Sequence, residues 1–207
     1  MPSRTKRVFF GNYVFVVDEN VYEPAEDSFL FAENLDVKEG EQVLDMGTGC
    51  GILGIIAAQE AGSVLALDVN PYAVLCARKN AVLNNTRSKV TFVQGDLFTP
   101  FRGAAKFDVI FFNAPYLPTE NAEGKSWLER AWTGGETGRK VIDRFISEAP
   151  RHLRPSGYIL LMQSTLTGVD ETIRKFEEQR MQASVVRELS APFFETITLI
   201  KAEVGTI

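Results

Sequence analysis

Four residues, Asn113-Ala114-Pro115-Tyr116, follow directly on the apolar run Val109-Ile110-Phe111-Phe112. They supply a side-chain amide, a backbone carbonyl, a rigid turn and an aromatic face where a short buried strand should end. Such a set suits the grip of a planar nitrogen group, either a carboxamide or an exocyclic amine. An amide nitrogen is a poor nucleophile because its lone pair is delocalised into the carbonyl. Two acceptors on its two N–H bonds, the Asn113 side-chain oxygen and the Ala114 carbonyl, would orient it and offset positive charge as that develops. Pro115 has no N–H and fixes the backbone, and Tyr116 offers a flat apolar wall. Taken alone, the tetrapeptide reads equally as a post-strand turn, where Asn and Pro are common.

A second cluster tips that balance. Asp45-Met46-Gly47-Thr48-Gly49-Cys50-Gly51 ends an earlier apolar run, and its glycines let the backbone turn tightly and approach a ligand closely. A dinucleotide site wants G-x-G-x-x-G, and this chain has Ile52 at the last position. S-adenosyl-L-methionine accounts better for the acid ahead of the glycines, because Asp45 can face the ammonium of its methionine part, directly or through water. Gly47 and Gly49 would then lie against this cofactor. Asp68, with Val69 beside it, is placed for the ribose hydroxyls, Asp96 for the adenine amine, and Leu97 for the adenine ring. One such acid is an ordinary turn residue. Three at the ends of successive strands point to a ligand in the crevice that open α/β sheets form there.

The elements that must carry these groups are legible. Residues 8–10 and 13–17 read as a hairpin turning at Gly11-Asn12. Residues 25–35 have helical apolar spacing behind an acidic start. Strands are expected at 42–46, 63–68, 90–94, 107–112 and 157–162, alternating with helices at 52–60, 71–83 and 139–152. A helix at 169–180 and strands at 184–188 and 196–201 close the chain. Crossover helices imply a mostly parallel sheet covered on both faces. The last two strands are too closely linked for a crossover, so one should run antiparallel. Residues 117–138 lack a regular pattern and read as a substrate-facing lid. The expected fold is α/β: a Rossmann-like, seven-stranded, mostly parallel sheet with an antiparallel last strand and an N-terminal hairpin. Residues 1–207 should form one domain, with 1–35 covering the donor site.

Composition narrows the function. A net charge of -5 argues against a dominant phosphate-binding role, and Arg4, Lys6 and Arg7 read as a solvated tail. Two cysteines without a CxxC pair and one histidine speak against a structural zinc or a disulfide framework. Cys50 reads as a small side chain of the glycine loop and His152 as a structural helix end. The chain shows no membrane-length apolar run and no signal peptide, so a cytoplasmic location is expected.

Three segments carry a resemblance. Val21-Tyr22-Glu23-Pro24-Ala25-Glu26-Asp27-Ser28-Phe29, then Asn113-Ala114-Pro115-Tyr116 downstream of the glycine loop, then Ala131-Trp132-Thr133-Gly134-Gly135-Glu136-Thr137-Gly138-Arg139 with Ile142-Asp143-Arg144-Phe145 resemble the HemK-like N5-glutamine methyltransferases, in their archaeal and eukaryotic branch. The resemblance covers almost the whole chain and implies a class I methyltransferase without the helical N-terminal domain of the bacterial enzymes. It implies a substrate, the Gln of a Gly-Gly-Gln loop in a translation termination factor, and a partner, a small zinc-binding activator protein. It gives Ser28 contact with the methionine carboxylate, with Tyr22 and Pro24 nearby, and places Trp132 in the substrate groove with Asn113 and Tyr116. The family writes Asn-Pro-Pro-Tyr. Ala114 keeps the carbonyl and gives up the φ restraint.

Other acceptors fit the same residues. The resemblance also permits a protein lysine that arrives deprotonated. Adenine N6 of nucleic acid is another, since Asn-x-Pro-Tyr also suits a flipped base, although the acidic balance opposes it. A small-molecule acceptor and a non-catalytic binding module complete the set. The strand at 90–94 is a candidate docking edge for the activator.

Overall fold

The computed structural model describes residues 5–101, 103, 105–120, 125–190 and 195–205. Arg4 of the basic cluster, and residues 121–124 of the expected lid, lie outside them. A two-stranded hairpin, β1 (Thr5–Phe10) and β2 (Tyr13–Asp18), precedes α1 (Glu26–Glu33). The main body then runs β3 (Gln42–Met46), α2 (Ile52–Ala57), β4 (Ser63–Asp68), α3 (Pro71–Leu83), β5 (Val90–Gln94) and β6 (Phe107–Asn113). It continues through α4 (Trp127–Arg130), α5 (Lys140–Glu148), β7 (Leu153–Ser164), α6 (Val169–Glu178), β8 (Met181–Ser190) and β9 (Thr196–Val204).

Seven strands form one sheet in the order β5-β4-β3-β6-β7-β9-β8. All run parallel except β9, which pairs antiparallel with both β7 and β8, as the short link between β8 and β9 requires. The order reverses between β3 and β6, so a crevice opens at their carboxyl ends. Side chains alternate between faces. Val43, Val109, Phe111, Leu160 and Met162 join Phe31 and Ile55 in one core. Leu44, Met46, Ile110, Phe112, Ile159 and Leu161 join Phe145 and Phe176 of α5 and α6 in the other.

Several expectations need correction. Lys6 and Arg7, expected in a solvated tail, lie in β1, where Lys6 pairs with Glu23. The 52–60 helix stops at Ala57. The 139–152 helix ends early: a 3-10 turn, Ala149–His152, replaces its last turn. Pro150 has no N–H to continue the α-helical ladder. His152 there stacks on Phe98 at 4.6 Å and its Nδ1 meets the Ala105 carbonyl at 3.0 Å, a structural placement. The 117–138 segment is also more ordered than expected. It contains α4, which Ser126 caps by accepting from the Glu129 N–H, and a parallel bridge between Leu117 and Thr133.

The hairpin is docked by two asparagines one helical turn apart, Asn80 on α3 and Asn84 at its C-cap. Asn84 accepts from Val14 N–H and donates to the Val14 carbonyl, at 3.1 and 2.9 Å. Asn80 does the same to Val16, at 2.9 and 3.1 Å, and also donates to the Cys50 carbonyl in the glycine loop at 2.9 Å. Their amides thus stand in for a neighbouring strand along the open edge of β2. Asn80→Ala leaves the Val16 N–H and the Cys50 carbonyl unmet and the Val16 carbonyl with only the Cys76 thiol as donor, so a loss of about 2–3 kcal/mol is expected. A urea midpoint shift with unchanged m-value would show it; an unchanged midpoint would contradict this account.

Candidate active site

The carboxyl ends of β4, β3 and β6 lie side by side, with Met46 paired to both Leu67 and Phe112. Above them opens a cavity of about 560 Å3, within the range of roughly 300–1,000 Å3 usual for small-molecule sites. Its wall gathers Tyr22, Pro24, Ser28, Gly47, Gly49, Asp68, Val69, Asp96, Leu97, Asn113, Ala114, Pro115, Tyr116 and Trp132, residues drawn from distant parts of the chain. Of the residues expected at the site, Asp45 alone stands behind the wall, 1% exposed.

The glycine-loop side of the cavity is built on short local contacts. Asp45 Oδ2 accepts from Thr48 Oγ1 at 2.6 Å and from Gly54 N–H at 3.0 Å, tying the glycine loop to α2. Its Oδ1 is buried and has no hydrogen-bond partner among the described residues. Burial pushes the Asp45 carboxyl up to about 7, with the Asp68 charge adding to it, against the Thr48 and Gly54 hydrogen bonds. Asp68 receives Gly49 N–H at 2.9 Å on Oδ2 and Asn70 N–H at 2.8 Å on Oδ1. Burial raises its pKa while those backbone bonds oppose the rise. Leu97 is buried in the wall at φ +47°, a left-handed conformation that costs a leucine about 1–3 kcal/mol and marks functional sites. Asp96 is engaged by Arg144 at 2.8 Å, a half-exposed pair. Cys50 is buried and burial raises its thiol pKa, in keeping with a small packing side chain.

Around Asn113 the structure supplies a residue for which the sequence offered no role. Asp27, 5% exposed, lies among the polar groups of the tetrapeptide. Its Oδ2 accepts from Asn113 Nδ2 at 3.0 Å, and its Oδ1 accepts from Tyr22 Oη and Ser28 Oγ, both at 3.1 Å. The Tyr116 hydroxyl bonds the same carboxylate, and burial first, then the Asp27 charge, raises the pKa of both phenols. Both tyrosines therefore act as donors and not as bases at neutral pH. A carboxylate can only accept, so the nitrogen of the Asn113 amide must face Asp27 and its oxygen must face away. Ser28, expected at the methionine carboxylate, spends its hydroxyl proton on Asp27. The only signal for Asp27 in the sequence was its place in the Glu26-Asp27-Ser28 motif.

Trp132 lies in the outer wall with Trp127, whose ring carries the Arg130 guanidinium at 4.9 Å. Its carbonyl accepts from Leu117 N–H at 2.8 Å, which binds the 131–139 segment to the chain leaving the tetrapeptide.

A parallel sheet with a reversed penultimate-position strand, a glycine loop at the switch point and Asn-x-Pro-Tyr on the adjoining strand define a methyltransferase of the class I, S-adenosylmethionine-dependent fold. The chain belongs to the HemK-like N5-glutamine methyltransferase family. The Methyltransferase small domain family profile matches residues 14–130. A Methanocaldococcus jannaschii protein that bears the name of an N5-glutamine methyltransferase is 42% identical over 181 residues, covering 86% of this chain and 90% of its own. The E. cuniculi Mtq2-Trm112 complex, responsible for methylation of the eRF1 translation termination factor, is 25% identical, with a TM-score of 0.65 over 90% of this chain and 99% of that one. The M. jannaschii tRNA m1G37 methyltransferase superposes with a TM-score of 0.74 at 20% identity, covering 100% of this chain and 59% of that one, a likeness of fold alone. No helix among the described residues is long and apolar enough to cross a membrane.

Proposed function

We propose that the chain methylates N5 of the glutamine in the Gly-Gly-Gln loop of a translation termination factor, using S-adenosyl-L-methionine. The observation that carries this reading is the pinned Asn113 amide. With Nδ2 held by Asp27, Oδ1 is left as a fixed acceptor beside Ala114 on the cavity wall, suited to the two N–H bonds of a carboxamide. The name borne by the M. jannaschii relative and the eRF1 activity of the Mtq2-Trm112 complex support the same substrate.

The residues present fit the cofactor. The cavity is large enough, the glycine loop forms its floor, a strained Leu97 lies where an adenine would be covered, and Asp45 holds an unpaired buried oxygen. S-adenosylmethionine, when bound, supplies a sulfonium methyl group open to attack by a nitrogen. Asp68 would take the ribose hydroxyls with the lone pairs left beside its two backbone bonds. Asn113 Oδ1 and the Ala114 carbonyl would hold the substrate amide at near-attack distance, where positioning contributes roughly 7–11 kcal/mol to catalysis. Tyr116 and Trp132 would flank the glutamine side chain. Ala114, 3% exposed and packed in the core with Met46 and Phe112, would present its carbonyl without the ring of a proline.

Lysine is a second reading, favoured by the Asp27 carboxylate behind the acceptor position. Peptide mass spectrometry of the termination factor after incubation with enzyme and cofactor separates the two. One methyl on the Gly-Gly-Gln glutamine is the expected product; methyl on lysine alone would replace the first reading with the second. The reaction should be run with and without a small zinc-binding activator. We place that partner on β5, one of the two edges of the sheet, where a free strand edge can accept another chain.

Asp45 makes the donor site pH-sensitive. Asp45 stands behind the wall, so a cation bound in the cavity would act on it across the glycine loop and not by contact. It still favours the carboxylate, so cofactor affinity should rise as pH climbs toward about 7 and level off above it. The apo protein has the opposite slope. A carboxyl raised from 3.8 contributes stability that is complete below 3.8 and lost as pH rises through about 7. Asp45→Asn should flatten both slopes and lower affinity at pH 8 by about tenfold, the equivalent of one pKa unit. Calorimetric titration from pH 5.5 to 8.5 checks this, and a slope retained in Asp45→Asn would assign it to another group.

A further inference from the structure

A buried polar network that the transfer geometry does not use lies behind the acceptor segment. Arg139 is its hub, 6% exposed. Its Nη1 donates to the Thr167 carbonyl, to the Gly168 carbonyl at 2.9 Å and to Thr172 Oγ1 at 3.0 Å, and its Nη2 donates to Asp143 Oδ1 at 2.8 Å. Gln163, fully buried on β7, donates to Thr167 Oγ1 at 3.2 Å. It follows Met162, the β7 residue paired with Asn113. A guanidinium taken out of water is costly, and well-packed apolar groups in its place are often at least as stable. Stability is therefore a weak reason for this arrangement, and geometry is a better one.

What the network holds is visible in the backbone. Gly138, next to Arg139, is wedged so tightly that an added Cβ would fall 2.3 Å from Thr167 Cγ2 and 2.4 Å from the Tyr116 carbonyl oxygen. The turn that ends there is bonded to the chain leaving the tetrapeptide. Leu117 N–H reaches the Trp132 carbonyl at 2.8 Å, Gly134 N–H the Leu117 carbonyl at 2.9 Å, and Thr119 N–H the Gly135 carbonyl at 2.9 Å. Arg139, its turn and the acceptor segment thus form one continuous packed unit, anchored on the loop that follows β7.

We propose that Arg139 is a positioning residue that clamps the backbone from Tyr116 to Thr119, and with it the Tyr116 and Trp132 side chains, at the mouth of the acceptor site. The proposal rests on the acceptor reading given above. It gives Arg139 no contact with substrate or cofactor, so its effect should fall on protein-substrate engagement and not on donor binding.

The test compares wild type with Arg139→Met, Arg139→Lys and Thr172→Val. Three quantities are read: amide exchange by NMR at Leu117, Thr119 and Gly134, cofactor Kd, and KM and kcat for termination-factor methylation. In Arg139→Met, exchange at those three amides should rise at least tenfold while β3 and β4 amides stay unchanged. KM for the factor should rise at least tenfold with kcat falling less than threefold, and cofactor Kd should stay within twofold. Lysine, which cannot reach all four acceptors, should rescue partially. Thr172→Val removes one bond only and should raise exchange about threefold; it decides the matter if Arg139→Met fails to fold. Unchanged exchange at Leu117 and Thr119, or an equal rise across the whole sheet, would overturn the proposal. If the wild type leaves glutamine unmethylated, the substrate reading falls while the exchange arm still tests the clamp.

Discussion

Asn113→Ala should lower the rate of methyl transfer by roughly 10²–10³ while cofactor affinity changes less than fivefold, because one preorganised acceptor is lost at the point where charge develops. Asp27→Ala should approach the same loss by a different route. Without its carboxylate, nothing fixes which end of the Asn113 amide faces the cavity, and an outward NH2 would oppose the substrate N–H bonds. Tyr22 and Ser28 lose their acceptor too. The two residues act as one unit, so the double variant should be no slower than about twofold below Asn113→Ala. Single-turnover transfer of a labelled methyl group, beside calorimetry of cofactor binding, measures both. Fully multiplicative losses would show that Asp27 acts elsewhere than through Asn113.

Gly51→Ala should all but remove the donor site. Gly51 sits at φ +91°, and an added Cβ would stand 2.9 Å from Ile55 Cδ1, 3.0 Å from Ala77 Cβ and 3.2 Å from Ala77 Cα. The isoleucine tip can swing aside, but the α3 backbone cannot. A left-handed residue costs about 1–2 kcal/mol and overpacking a further 1–3 kcal/mol, together enough for at least a 30-fold weaker cofactor complex and a lower Tm. Gly40→Ala is the control. It shares the positive φ, at +84°, has nothing within 4 Å of its Cβ position and lies outside the cavity wall, so it should show only the backbone part, read as Tm. Equal effects at the two positions would mean that close approach of α3 is unimportant.

The glycine loop was legible because its requirements are local. Positive φ at Gly47, Gly49 and Gly51 follows from a sharp exit from a buried strand into a helix. The strands were legible for the same kind of reason, since β3 and β6 are apolar on both faces as a strand between two helical layers must be. Less was visible where polar groups choose partners across the chain. Asn80 fell inside the expected 71–83 helix and Asn84 just past it, with nothing to mark either, and together they proved to be the edge on which the hairpin docks. Arg139 looked like the start of a helix and proved to be the centre of a buried network.

The sequence by itself determined the order of elements, the antiparallel return of one closing strand, and the strand ends and Asn113–Tyr116 turn that line the cavity. These depend on period, φ and composition within a few residues of each other. Only the tertiary structure decided that Asp27 lies against Asn113, 86 positions away, that Asp45 stands beneath the cavity wall, and that Arg139 backs the acceptor segment. The reason is physical. A buried hydrogen bond is directional and must be met by whichever group the fold brings within about 3 Å, and no local pattern records which group that will be.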